Sequence, residues 1–455
     1  MVSARRSYID KLIGREHPVE SGGRRDTLRT GYYFYDVSGK IAHQLSPRHR
    51  FSLSYYHGRD NLDLRLPFDV SLDFDSWLEP APFFFEVSHN WENELYSFRH
   101  RYLPSSRLLV TTTAYYSNYH ATERTLIQPT ESAKIASDYG VRLDDVGLKV
   151  DVDYTWSETH QWRGGVQLAG RRFRSSLDGA FERSPAAVDS LGHDGHLRAL
   201  EGAAYVQDTW RPARQWRVQP GLRASFFSSG RFVRLEPRLQ VQHALVPQRL
   251  TLRGAVSRQT QYIHRLRDRY SFLYDLVSSR WIPADDDVPP STSTQAALGL
   301  EWRPRPWLTL TADGYWRRSR DMLLPRDVYR EKDELEGPGI DVGALLRQYT
   351  RARGRTYGLE LSARIERGTW QARLNYSGGR SMSRAPALGE SSFRPDRFDV
   401  PRSFRGVVNG RWGPWSATLS TELRSGFPHT VPVARYALGD PLEGDPPTRY
   451  LSRPR

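Results

Sequence analysis

Apolar and polar residues alternate with a period of two through much of this chain. Over 146–156, Val146, Leu148, Val150, Val152, Tyr154 and Trp156 share one parity, while Gly147, Lys149, Asp151, Asp153 and Thr155 share the other. Such alternation describes a β-strand with one greasy face and one wet face. The pattern returns over 216–226, 233–241, 357–365, 370–376 and 415–423. No segment sustains a period of 3.6, so few helices are expected.

The wet face is charged along its whole length, for example at Asp151, Asp153, Arg234, Glu236 and Arg238. Buried without partners, each such group would cost several kcal/mol. Lipid against one face and water or protein against the other satisfies both. The connections agree. Short turns fall at 46–50, 104–107, 157–161, 211–215, 247–249, 303–306, 367–369 and 413–414. Long polar stretches fall between them, over 61–82, 121–138, 172–199, 263–292, 322–354 and 380–398, with one tight exception at 228–231. Sending every long loop to one end is the habit of a transmembrane barrel. The strands are expected to run about 10–14 residues, enough to cross a bilayer tilted and more than the soluble mode of about 5–6. Trp162, Trp216, Trp307, Trp370, Trp415 and Phe51 each stand just after a short turn. Aromatic rings at one strand end mark a membrane interface. The expected fold class is all-β, a transmembrane antiparallel β-barrel.

Composition narrows the alternatives. There are 66 Lys plus Arg against 52 Asp plus Glu, a net charge of +14, and lysine occurs only at positions 11, 40, 134, 149 and 332. The arginines are scattered through the strands rather than gathered on an arm or face, so no nucleic-acid partner is expected. The absence of cysteine excludes disulfide scaffolds, thiol nucleophiles and Cys-ligated metals. No apolar run reaches 18 residues, so no transmembrane helix is expected. The opening Met1-Val-Ser-Ala-Arg-Arg-Ser-Tyr-Ile-Asp10 lacks the apolar core of a signal peptide, which fits a cytosolic chain or one whose natural start lies upstream.

Several segments resemble one family, the TonB-dependent outer-membrane receptors. Ala203-Ala-Tyr-Val-Gln-Asp-Thr-Trp210, followed by Pro220-Gly-Leu-Arg223 and Glu236-Pro-Arg238, resembles its mid-barrel signature. Tyr357-Gly-Leu-Glu-Leu361 resembles a later strand, and Ser425-Gly-Phe-Pro-His-Thr430 is similar to an element near the barrel's end. Residues 3–10, 32–40 and 51–60 look like an early barrel hairpin. The resemblance implies a 22-stranded barrel, of which about 17 strands are readable here, the third through the nineteenth. The plug domain, the coupling segment, the first two strands and three closing strands are then missing. Residues 1–455 are thus expected to be a partial outer-membrane barrel, a fragment. With two open edges facing lipid, the fragment alone is expected to fail to insert or to close in a non-native register.

No catalytic constellation stands out, and neither a cofactor nor a metal is expected. His193 and His196 flank Asp194 in a Gly-bearing stretch that reads as a solvated loop. Asp285-Asp286-Asp287 lacks calcium-loop spacing. The best ligand candidates cluster where a strand leaves the outer face: Tyr262, His264, Arg265, Arg267, Tyr270 and Trp281, with Arg269 and Tyr274 among them. Aromatic rings with cations suit an anionic small-molecule ligand such as a ferric siderophore, and a loop packing on its neighbours is the competing reading. Arg217, Arg223, Arg234, Arg238, Arg253, Arg364 and Arg373 are expected to line the lumen. The resemblance implies import of a scarce nutrient across the outer membrane, in contact with outer-membrane lipid and driven by a TonB-like energy-transducing protein acting on the plug. A passive porin-like channel and an outer-membrane barrel enzyme are the alternatives; the enzyme lacks a visible acid/base pair.

Overall fold

The computed structural model describes residues 1–12, 17–21, 24–68, 83–128, 134–184, 187–266, 280–325, 349–428, 430–437 and 448–454. Strands begin with β1 (Val2–Arg6) and, after the short helix α1 (Ile9–Leu12), β2 (His17–Ser21). Seven tall strands follow: β3 (Arg24–Ser46), β4 (His49–Phe68), β5 (Phe83–Ser105), β6 (Leu108–Gln128), β7 (Lys134–Thr155), β8 (His160–Ser184) and β9 (Ala187–Trp210). Next are β10 (Trp216–Phe227), β11 (Phe232–Val246), β12 (Leu250–Gln261), β13 (Ile263–Leu266), β14 (Arg280–Pro283) and β15 (Ser291–Arg305). The chain continues through β16 (Leu308–Pro325), β17 (Tyr349–Arg367), β18 (Trp370–Arg384), β19 (Arg394–Pro395), β20 (Arg402–Trp412) and β21 (Trp415–Arg424). A separate hairpin joins β22 (Thr430–Ala437) to β23 (Thr448–Pro454).

Nearly all of these strands pair antiparallel with their chain neighbours in one up-and-down sheet. β1 and β2 lie end to end along β3 and form one edge. The ladder then runs in order from β3 to β12, passes to β15 through β18, and ends at β20 and β21. Among the described residues, no hydrogen bonds join the first edge to the last. Each short turn falls where the alternation placed it, from Ser46–His49 through Trp412–Trp415. The strands themselves are longer than the sequence suggested. β3 through β9 run 20–25 residues, and the stretch 172–199, expected as a loop, is paired as the outer halves of β8 and β9. Ladder hydrogen bonds need only backbone, so pairing continues after the apolar parity stops.

The faces are inverted relative to a soluble sheet. Leu148, Leu222, Leu239 and Leu419, all on the apolar parity, are 49%, 43%, 39% and 70% exposed. Ala169, Phe173, Ala199, Thr209, Ser225 and Phe227, on the opposite parity, are buried. Side chains therefore crowd one another on the polar face, the inner wall, while the greasy face looks outward. Aromatic rings border that greasy face at both ends. At the short-turn end, Trp156 packs edge-on against Trp162, and Trp370 stacks near Trp412. Trp307 departs from the expected row, staying half-buried in its turn beneath the Arg367 guanidinium. At the far end, Tyr55, Tyr96 and Tyr116 line up across three strands, and Trp316 stands opposite Tyr357. The levels of Tyr154 and Val146 on β7 mark the two borders. Their separation corresponds to ~20 Å along the normal for a strand tilted about 40°, close to the apolar band of an outer-membrane barrel.

This geometry sets opposite costs on adjacent residues. Leu168→Arg, in mid-band opposite Leu148, is expected to destabilise the protein by about 2–4 kcal/mol. Lys149→Ala, on the wet face in a half-buried pair with Asp151, whose carboxylate keeps the Tyr205 hydroxyl as a partner, should cost less than about 1 kcal/mol. Denaturant unfolding from lipid vesicles, with the protein expressed together with its flanking coding sequence, measures both; equal penalties would contradict the assignment of faces.

Candidate functional site: the polar inner wall

The inner wall is organised as rungs of hydrogen-bonded side chains across β7 to β12. The alternation puts Asp145, Asp151 and Asp153 of β7 on the same face as Arg163 and Arg171 of β8 and as Glu201 and Tyr205 of β9. Arg171 sits between Asp145, at 3.2 Å, and Glu201, which it also contacts. Arg163 donates to Asp153 at 2.5 Å, and the Tyr205 hydroxyl donates to Asp151. Further round, Arg223 faces Glu236 in register with a closest approach of 3.6 Å, and the Ser225 hydroxyl donates to Glu236 at 3.1 Å. Each carboxylate thus has a cation or hydroxyl beside it, which is how a charged face is accommodated without free water at every group.

One glycine is needed for this packing. A Cβ on Gly221 would stand 3.0 Å from the Arg238 side chain opposite it, so the Pro220-Gly221 step leaves room for the arginine stem, and Arg238 lies over the Tyr205 ring at 5.9 Å. The segments 203–210, 220–223 and 236–238, separate in sequence, therefore occupy three neighbouring strands. Among the arginines expected in the lumen, Arg217 and Arg253, with Gln219, Gln240, Gln242 and Asp313, line a hollow of about 280 Å³. Arg364 pairs with Glu366 on its own strand.

The aromatic-cationic stretch lies at the rim of this wall. After Gln261 the strand breaks and the chain turns, and Tyr262 and His264 become buried, each 5% exposed. Tyr262 stacks on Phe227 with ring centroids 5.0 Å apart, shares a 2.8 Å hydrogen bond with Ser225, and its carbonyl accepts the Ala284 N–H at 2.7 Å. His264 Nε2 lies 3.1 Å from the Pro289 carbonyl. These two rings fasten the loop to the wall. Arg265 and Trp281 stand opposite one another on the β13–β14 hairpin, both half-buried. Arg267 and Tyr270, with Arg269 and Tyr274, lie outside the described residues. Asp285 caps its own turn, accepting N–H bonds from Asp287 and Val288 at 3.0 and 2.8 Å. His193, Asp194 and His196 are paired within β9 rather than looped out. Sequence reasoning missed Ser225 and Phe227 as the partners of Tyr262. The available signal was Phe227 itself, an aromatic residue on the polar parity.

The chain belongs to the TonB-dependent receptor-like β-barrel family, whose family model matches residues 25–447. Solved structures similar to it include the copper transporter OprC, at 15% identity and a TM-score of 0.56, with 88% of this chain and 61% of that one covered. The ferric-catecholate import receptor Fiu of Escherichia coli K12 matches at 11% identity and a TM-score of 0.55, covering 94% and 69%. The ferric yersiniabactin uptake receptor FyuA of Yersinia pestis matches at 13% identity and a TM-score of 0.53, covering 88% and 67%. At these identities the likeness is one of fold, and the chain spans about three fifths of OprC's length. No curated protein matches the sequence. The family and these structures are receptors and transporters.

The buried His264 makes the rim pH-sensitive. Burial pushes its pKa below the ordinary imidazole value, so the neutral ring is the form the fold favours. The stability it lends is complete above about pH 6.5 and is lost as pH falls through the lower folded value. Once the slower intrinsic exchange at low pH is divided out, hydrogen-exchange protection over 262–266 and 280–291 is therefore expected to fall as pH drops from 7 towards 5, and His264→Asn should flatten the response. An unchanged pH dependence in the variant would contradict this role.

Proposed function

We propose that this chain is the barrel part of an energy-coupled importer of the bacterial outer membrane. The observation that carries the proposal is the inverted sheet itself, greasy and exposed on one face, charged and cross-linked on the other, in a chain of this receptor family. Such a wall partitions lipid from a polar conduit. The plug that closes the conduit, and the segment through which a TonB-like protein delivers energy, belong to sequence outside residues 1–455; the 61% coverage of OprC supports this. The cargo is a small, scarce nutrient. A ferric siderophore fits the relatives Fiu and FyuA, and an anionic, partly aromatic ligand fits a cation and a ring held at facing ladder positions, Arg265 and Trp281. Tyr262 and His264 act one step back, by holding that hairpin against the wall.

A passive porin-like channel is the second reading, favoured by the polar hollow around Arg217 and Arg253. The two separate experimentally. Expressed with its flanking coding sequence in an outer-membrane host, an energy-coupled receptor should take up its ligand only while the inner membrane is energised and a TonB-like partner is present. Uptake that survives removal of either favours the porin. Arg265→Ala and Trp281→Ala should each weaken ligand binding about tenfold, corresponding to roughly 1.4 kcal/mol. Unchanged binding in both would remove the hairpin from the ligand site.

A further inference from the structure

The outward face carries arginines where the apolar band ends. On β6 to β9, Tyr116, Val146, Gly170 and Leu200 stand side by side at the upper border of the band. The next outward positions are Asp144, Arg172 and Arg198, and above them come Arg142 and Arg174. Arg172 lies directly opposite Arg198 in the ladder, and both are exposed. Like charges at facing positions destabilise a sheet, so the arrangement asks for an anion. The patch's own carboxylate does not supply one. Asp144 pairs with Arg142 and, among the described residues, forms no ion pair with Arg172, Arg174 or Arg198; its Oδ1 accepts the Tyr116 hydroxyl at 2.9 Å, the Asn118 amide at 2.7 Å and Arg142 Nε at 3.3 Å. Asp145 and Glu201, on the other face of the sheet, are taken by Arg171. Beneath the arginines, Gly170 has no side chain, and a Cβ there would meet nothing within 4 Å. The result is a hollow of about 740 Å³ with Val146 and Leu200 as its greasy end and arginines as its polar end.

We propose that this hollow is a docking site for a phosphate-bearing lipid of the outer leaflet. Arg172, Arg174 and Arg198 grip the headgroup phosphates through charge-assisted, fork-shaped hydrogen bonds, while an acyl chain lies in the groove over Gly170. The occupant is a lipid rather than a free anion because the cationic end is continuous with the lipid-facing band. A second facing pair, Arg318 and Arg355, is capped by the Phe393 ring, 4.1 Å from the Arg355 guanidinium; among the described residues the β7–β9 patch carries no such cap. The inference rests on the outer-membrane reading above.

The test uses the protein expressed with its flanking coding sequence and purified in detergent. A bisphosphorylated, acylated glucosamine disaccharide is titrated in, alongside its dephosphorylated form and inorganic phosphate. The phosphorylated lipid should bind wild type, and the triple variant R172Q/R174Q/R198Q at least tenfold more weakly. Gly170→Leu, which leaves every arginine in place, should also weaken it. The dephosphorylated lipid should not distinguish wild type from the triple variant. Equal lipid binding by wild type and triple variant overturns the site, as does inorganic phosphate binding as tightly as the lipid. Heat-modifiable migration separates the two proposals: a folded barrel with unchanged lipid binding sinks this one alone, whereas loss of that migration in wild type sinks both.

Discussion

Backbone hydrogen bonding in a solvent that offers none is the constraint from which this structure follows. In hydrocarbon every N–H and C=O must find a partner within the protein, and a continuous antiparallel ladder is one of only two ways to provide it. Once the ladder is fixed, side chains alternate between two faces with no freedom to choose. A sequence that spends one parity on Leu, Val and Trp and the other on Asp, Glu and Arg thereby commits itself to two solvents. The exposures of Leu148 and Leu419 against the burial of Ser225 and Thr209 are the direct expression of that commitment.

The polar face solves a second problem by the same geometry. Because facing residues on adjacent strands point the same way, an arginine and a carboxylate separated by tens of residues become neighbours. Arg171 between Asp145 and Glu201 is one example, and Arg223 beside Glu236 is another. Such rungs give a charged wall its own counterions. They also leave specific gaps, around Arg217 and Arg253 on the inside and above Gly170 on the outside, where cationic groups outnumber acids.

Much of this was legible in the sequence because it is local. Parity is read from adjacent residues, and short turns from the Pro, Gly or Ser that interrupts it, so the strand order and the turn positions needed no tertiary information. Strand ends were harder. Beyond the apolar band the alternation loses its greasy half, and nothing in residues 172–199 announces that β8 and β9 go on pairing to Ser184 and Ala187. The rim was harder still. Tyr262 was singled out as a ring on a loop, but its partners Ser225 and Phe227 lie on another strand across a ladder. Only coordinates reveal that it fastens the loop rather than faces outward.

Which solvent wets which face decides whether this sheet is a membrane wall. Residues 1–455 contain no cysteine, so single spin labels can be placed at Leu148, Lys149, Thr418 and Leu419 in the protein expressed with its flanking coding sequence, any cysteine of which is first replaced by serine. In vesicles, labels at Leu148 and Leu419 should be relaxed by dissolved oxygen, which concentrates in lipid, and those at Lys149 and Thr418 by a water-soluble nickel complex. Labels at neighbouring positions that respond alike to both reagents, or with the parities reversed, would contradict the membrane-wall assignment.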